Sequence, residues 1–214
     1  MIDEQALRKT MCRLGRSMFE RGLTSGSSGN LSARRDDGYL MTPTNSCLGF
    51  LESEQLSKLD GTGKHLSGDK PTKEIPLHLS YYEARPQAGA IVHLHSTYAT
   101  ALSCLSHSDQ TNALPALTPY VLMRVGQVPI LTYTHPGSED VRPHILKVAP
   151  THNAVLLANH GPVVTGADFE SAVYAAEELE EAAKLYFALK TDPYNELSPD
   201  VVQRLLSRLR ISTV

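Results

Sequence analysis

The chain has 214 residues, of which 41% are hydrophobic and 20% charged, with a formal net charge of −3. That length supports one sizeable core, so a single domain over 1–214 is expected, and the missing basic block excludes an electrostatic nucleic-acid footprint. Apolar runs fall far short of the roughly 20 residues that span a bilayer, and three scattered cysteines, Cys12, Cys47 and Cys104, fit reduced thiols in a cytoplasmic protein rather than a disulfide framework.

Residues 3–21 carry Leu7, Met11, Leu14 and Met18 at helical spacing, and Gly22 offers a stop. Acids at positions 3 and 4, with no apolar run behind them, read against a secretory signal. A loop of small polar residues, 25–30, leads to short strands at 31–34 and 39–42, joined by a turn with Asp37-Gly38 as its signal. A further strand is expected at 56–59. Thr72 can cap a helix over 74–84, with Pro76 in its first turn. A buried strand follows at 90–95, then a helix of small residues over 97–107. The proline-containing stretch 109–127 reads as irregular. Strands at 128–131 and 154–158, an extended piece at 162–165, and helices over 139–148, 168–190 and 199–209 complete the chain. Helices at both ends and in the middle of a run of strands suggest an α/β/α layered fold around a mainly antiparallel sheet.

The chemistry centres on Ala90-Ile91-Val92-His93-Leu94-His95-Ser96. Strand alternation places Val92 and Leu94 on one face and His93 and His95 on the other. Two imidazoles on one face are costly in an apolar interior unless something satisfies them, and neutral imidazole is a common zinc ligand. Alone, His-x-His also fits two ordinary histidines at a strand end. Asn159-His160-Gly161 after a second apolar strand shifts the balance, because three histidines with an open fourth position make a catalytic zinc site. Glu74, at a helix start, is explained either by the helix dipole or as a carboxylate that moves a proton beside the metal. The loop Ser27-Ser28-Gly29-Asn30, with Thr72 and Lys73 before a helix, offers hydroxyl, amide and ammonium donors suited to a phosphate. The other histidines, at 65, 78, 107, 135, 144 and 152, read as surface or structural.

Ser-Gly-Asn at 28–30, Thr-Pro at 42–43, Pro-Thr-Lys-Glu at 71–74, His-Leu-His at 93–95 and Asn-His-Gly at 159–161 stand in the order found in class II aldolases. Over roughly residues 5–190 the chain resembles the superfamily of fuculose-phosphate aldolase and ribulose-phosphate 4-epimerase. The resemblance implies a central, mainly antiparallel sheet between helical layers, and a homotetramer with active sites at subunit interfaces. It implies one Zn²⁺ per subunit on His93, His95 and His160, with Glu74 as the acid/base carboxylate. Ser28, Gly29 and Asn30 match the phosphate loop, with Thr42, Thr72 and Lys73 at the other phosphate-facing positions.

Lys73 stands where the aldolases carry serine, and Glu74 where the epimerases carry aspartate. The stretches 41–49, 68–74 and 114–120 look like the branch that decarboxylates 3-oxo-tetronate 4-phosphate. Tyr120 matches a proposed proton donor of that branch, reaching a neighbouring subunit's site. The implied substrate is a phosphorylated four-carbon sugar acid, which would lose CO₂ through a metal-stabilised enediolate to leave dihydroxyacetone phosphate. A sugar-phosphate aldolase is the alternative in the same chemistry. A 4-epimerase or a methylthio-sugar-phosphate dehydratase stands further off. Outside enzymes, the alternative is a non-catalytic binding module with a structural metal, which the open fourth position and the phosphate-type loops oppose.

Overall fold

The computed structural model describes residues 3–106 and 110–212. Among these residues eight strands form one sheet: β1 (Asn30–Arg35), β2 (Gly38–Met41), β3 (Ser57–Leu59), β4 (His65–Ser67), β5 (Ala90–His93), β6 (Ile130–Leu131), β7 (Ala154–Leu157) and β8 (Gly161–Gly166). Their order is β4-β3-β2-β1-β5-β8-β7-β6. Only the β6–β7 pairing is parallel among the described strands. The α-helices of the described residues are α1 (Glu4–Glu20), α2 (Ile75–Ala84), α3 (Thr97–Ser103), α4 (Pro119–Arg124), α5 (Val141–Val148), α6 (Phe169–Leu189) and α7 (Pro199–Ser212).

The alternation of β5 divides them into layers. Ala90 and Val92 join a core built with α1, α3, α4 and α6. Ile91 points the other way, into a smaller core with Leu77 and Tyr81 of α2 and Val141 and Ile145 of α5. The layered α/β/α fold expected from the sequence is therefore present, with a mostly antiparallel sheet. His93 shares its face with Ile91, which aims it at the α2 layer. No helix of the described residues is long and apolar enough to cross a membrane.

Four elements depart from expectation. β5 ends at His93, so His95 lies beyond the strand on the turn into α3. Helix α3 stops at Ser103 rather than 107, and His107 lies outside the described residues. β4 was not foreseen, because all three of its residues are exposed and carry no apolar alternation. α4 occupies a stretch read as irregular: Pro119 opens it, and proline at a first helical position costs no hydrogen bond.

The turn that carries His95 is braced from across the core. Ser96, at the N-cap of α3, makes no side-chain capping bond. Glu180 of α6 takes that role, its carboxylate accepting from the amides of Tyr98 (2.9 Å) and Ala99 (2.8 Å). Negative charge is favourable at a helix N-terminus, and amides left without a partner are costly. Glu180→Ala should therefore lower stability by about 1–3 kcal/mol, read from urea unfolding. An unchanged midpoint would show that solvent replaces the carboxylate.

Candidate metal centre

Two glycines bring the loops of the site onto the end of β5. Gly29 has φ +79, and a Cβ there would stand 2.9 Å from the His93 carbonyl oxygen. Gly161 has φ +156, and a Cβ there would meet the Leu94 carbonyl oxygen at 2.4 Å. Only glycine permits both approaches. Between β7 and β8 the chain turns through Ala158, Asn159 and His160, with Asn159 in the left-handed region at φ 55, a conformation asparagine tolerates. The turn places His160 over the end of β5.

There the three histidines converge. His93 Nε2 lies 3.3 Å from His160 Nε2 and 3.3 Å from His95 Nε2, and one ligand nitrogen from each falls within a common 4.8 Å span. Tetrahedral zinc with Zn–N bonds of about 2.05 Å sets neighbouring nitrogens about 3.3 Å apart. The His93 ring is fixed by its other nitrogen, 2.9 Å from the Pro162 carbonyl. That contact puts the proton on Nδ1 and leaves Nε2 as the ligand atom, the usual way a metal-binding imidazole is oriented. The set thus fits a divalent metal. His93 is buried, His160 half-buried and His95 exposed, so one side of the triangle opens outward.

Glu74, the N-cap residue of α2, closes another side. Its Oε2 lies 3.2 Å from His93 Nε2, and its Oε1 4.0 Å from His160 Nε2. Burial alone would raise its pKa; the His93 charge and hydrogen bond, then Asn30 and His160, outweigh that and hold the carboxyl far below its usual range. Burial would lower His93, but the Glu74 charge and hydrogen bond and the Pro162 carbonyl keep it above its ordinary value. Burial, followed by the neighbouring His93 charge, pushes His95 down and takes His160 down to about 4. His95 and His160 are thereby favoured in the neutral form that metal ligands require.

The remaining predicted site residues are placed as follows. The Asn30 side chain is buried, with Nδ2 donating to Glu74 Oε2 at 2.9 Å and Oδ1 lying 2.5 Å from His78 Nε2. The Ser28 hydroxyl donates to the Ser25 carbonyl within its own loop at 2.7 Å. The buried Thr42 hydroxyl accepts from the Leu31 amide at 3.0 Å, and the Thr72 hydroxyl accepts from the Glu74 amide at 3.2 Å. Thr72 therefore braces the start of α2, whose N-cap is Glu74. Lys73 is exposed. Tyr120 is 59% exposed on α4, a helix packed on α6 and α7 rather than on the α2 layer.

Two parts of the surroundings went unread in the sequence. Thr134–Ser138 lines a narrow crevice with Glu74 and His160, and His135, read as surface or structural, is exposed there. His78, also read as surface or structural, is fully buried, and burial drives its pKa down to about 3. A larger concavity, about 740 Å³, lies between α7 and residues 112–116. It holds none of the three histidines, so the chemistry rather than the size locates the site.

Comparison with known proteins adds an independent line. Residues 9–187 match the family described as Class II Aldolase and Adducin N-terminal domain. Over 206 residues the chain is 51% identical to a 3-oxo-tetronate 4-phosphate decarboxylase of Pectobacterium atrosepticum, covering 96% of this chain and 94% of that protein. Against an L-fuculose phosphate aldolase of Escherichia coli, identity is 32% over 197 residues, covering 90% and 89%. Among solved structures, YgbL from Escherichia coli superposes with a TM-score of 0.92 at 46% identity, covering 95% of this chain and 99% of that one.

Proposed function

The chain belongs to the Class II Aldolase and Adducin N-terminal domain family, and from that premise we propose that it is a lyase that removes CO₂ from a 3-oxo-tetronate 4-phosphate. The observation that carries the choice is the contrast between 51% identity to a decarboxylase and 32% to an aldolase, each along at least 90% of this chain.

In such a substrate the carboxylate at C1 is β to the ketone at C3. When the C1–C2 bond breaks, its electron pair moves into a C2–C3 enediolate. A proton delivered to C2 then gives dihydroxyacetone phosphate. A divalent metal held by His93, His95 and His160, zinc by this reading, would supply Lewis-acid stabilisation of the developing oxyanion. Glu74 is the group that moves the proton: ionised at rest and set against His93 and His160, it takes a proton from solvent and hands it to C2. Tyr120 is the second proton-transfer residue. Its exposure on the other helical layer suits service to another copy's site, in a homotetramer whose sites lie at subunit interfaces. Lys73, exposed and next in sequence to Glu74, supplies the cation for the phosphate. The Ser28–Asn30 loop, Thr42 and Thr72 frame that end of the site. Holding the phosphate fixes which carbon lies at Glu74.

Purified protein should be incubated with 3-oxo-tetronate 4-phosphates and, separately, with L-fuculose 1-phosphate. CO₂ and dihydroxyacetone phosphate in equal amounts from the first, with little aldehyde from the second, is the expected result. Aldehyde release from fuculose 1-phosphate without any CO₂ from the tetronates would replace this reading by the aldolase one.

A further inference from the structure

Beneath Glu74 runs a line of buried polar side chains. On β1, Asn30 and Ser32 alternate with Leu31 and Ala33 and face α2. On α2 and its cap, Glu74, His78 and Tyr82 follow at steps of four residues. Four helical residues rise about 6 Å and two strand residues about 6.7 Å, so the two rows interlock. Tyr82 Oη lies 2.9 Å from Ser32 Oγ, and Ser32 Oγ lies 2.6 Å from His78 Nδ1. His78 Nε2 lies 2.5 Å from Asn30 Oδ1, and Asn30 Nδ2 lies 2.9 Å from Glu74 Oε2.

The carboxylate end dictates every proton in this line. An ionised carboxylate only accepts, so Asn30 must turn its NH₂ to Glu74 and its oxygen to His78. That oxygen needs a donor, so the His78 proton sits on Nε2. Nδ1 is then an acceptor for the Ser32 hydroxyl, whose oxygen accepts from Tyr82. Full burial keeps His78 neutral, as an Nδ1 acceptor requires. The same volume filled with apolar side chains would avoid the desolvation of all these groups. A fully satisfied network instead specifies one geometry.

We propose that His78 is a positioning residue: through Asn30 it locks the Glu74 carboxylate in the orientation that faces the three histidines. The catalytic consequence rests on the proposed decarboxylase reading; the locked geometry does not.

The test has two arms. Nitrogen-15 NMR of histidine-labelled wild-type protein at pH 7 should show His78 neutral and protonated on Nε2. An Nδ1-H tautomer or a protonated ring overturns the proposal. In the second arm, His78→Phe removes both ring nitrogens, while His78→Gln keeps one donor and one acceptor. The phenylalanine variant is expected to keep its metal content and a KM within about threefold, and to lose about 10–100-fold in kcat; the glutamine variant should recover most of that loss. A folded phenylalanine variant with unchanged kcat, or an equal loss in both variants, overturns positioning. Should the phenylalanine variant not fold, the glutamine variant and the tautomer still decide. Absence of CO₂ release by the wild type counts against the proposed function alone, and the tautomer then decides on the geometry.

Discussion

His160→Ala is expected to empty the metal site and to lower CO₂ release by about 10³-fold or more, which corresponds to about 4 kcal/mol of lost transition-state stabilisation. The alanine leaves only the His93 and His95 nitrogens, 3.3 Å apart, and two ligands do not hold zinc in a protein site of this kind. His160 is the informative position because it sits on the β7–β8 turn, half-buried. The left-handed residue of that turn is Asn159, and the close approach to β5 belongs to Gly161, so both survive the change. His93→Ala would be harder to read, since it also removes the bond to the Pro162 carbonyl and leaves the buried Glu74 carboxylate without its nearest imidazole. Metal content by elemental analysis, with unfolding of the metal-stripped proteins, checks the prediction. Full activity in a metal-free variant would remove metal chemistry from this protein.

How such a site could be read before the fold was known is clearest along β5. The alternation of Val92 and Leu94 against His93 is a local property of strands: Val92 and Leu94 both lie in the larger core, and His93 faces Glu74 on the other side. The position of His95 was not local. The strand ends two residues earlier, and His95 joins the triangle because Gly29 and Gly161 pack on the carbonyls at that end. Motif order and family resemblance pointed to the convergence; spacing alone could not. His78 was narrowed less far. Its sequence neighbourhood is helical and mixed in polarity, which fits a surface or a structural position alike. The available signal was joint: polar residues at Glu74, His78 and Tyr82, one helical face, opposite polar residues at Asn30 and Ser32, one strand face. That signal becomes visible only when the helix is known to lie on that strand. β4 gave no signal at all, since its burial is uniform and low. The proline that suggested irregularity before α4 is the residue that begins it.

Glu74→Gln is expected to keep the metal and the fold while lowering kcat by about 10²–10⁴-fold, the range for loss of a positioned proton-transfer group. The side chain keeps its length, and its amide oxygen can still accept from Asn30 Nδ2, the contact now 2.9 Å, so the line through His78 stays satisfied. What disappears is the charge that raises His93 and the atom that can carry a proton, since an amide nitrogen does neither. None of the three imidazole nitrogens is touched, so metal stoichiometry should match wild type. KM should change little if the phosphate is gripped elsewhere. A loss confined to kcat marks an interaction made in the transition state rather than in the bound substrate. This separates Glu74 from the histidines, whose replacement removes metal and turnover together. An unchanged kcat would assign Glu74 a purely structural place at the start of α2. A variant that lost metal as well as turnover would make the carboxylate part of the metal's own shell, and the proton would then have to travel through another group.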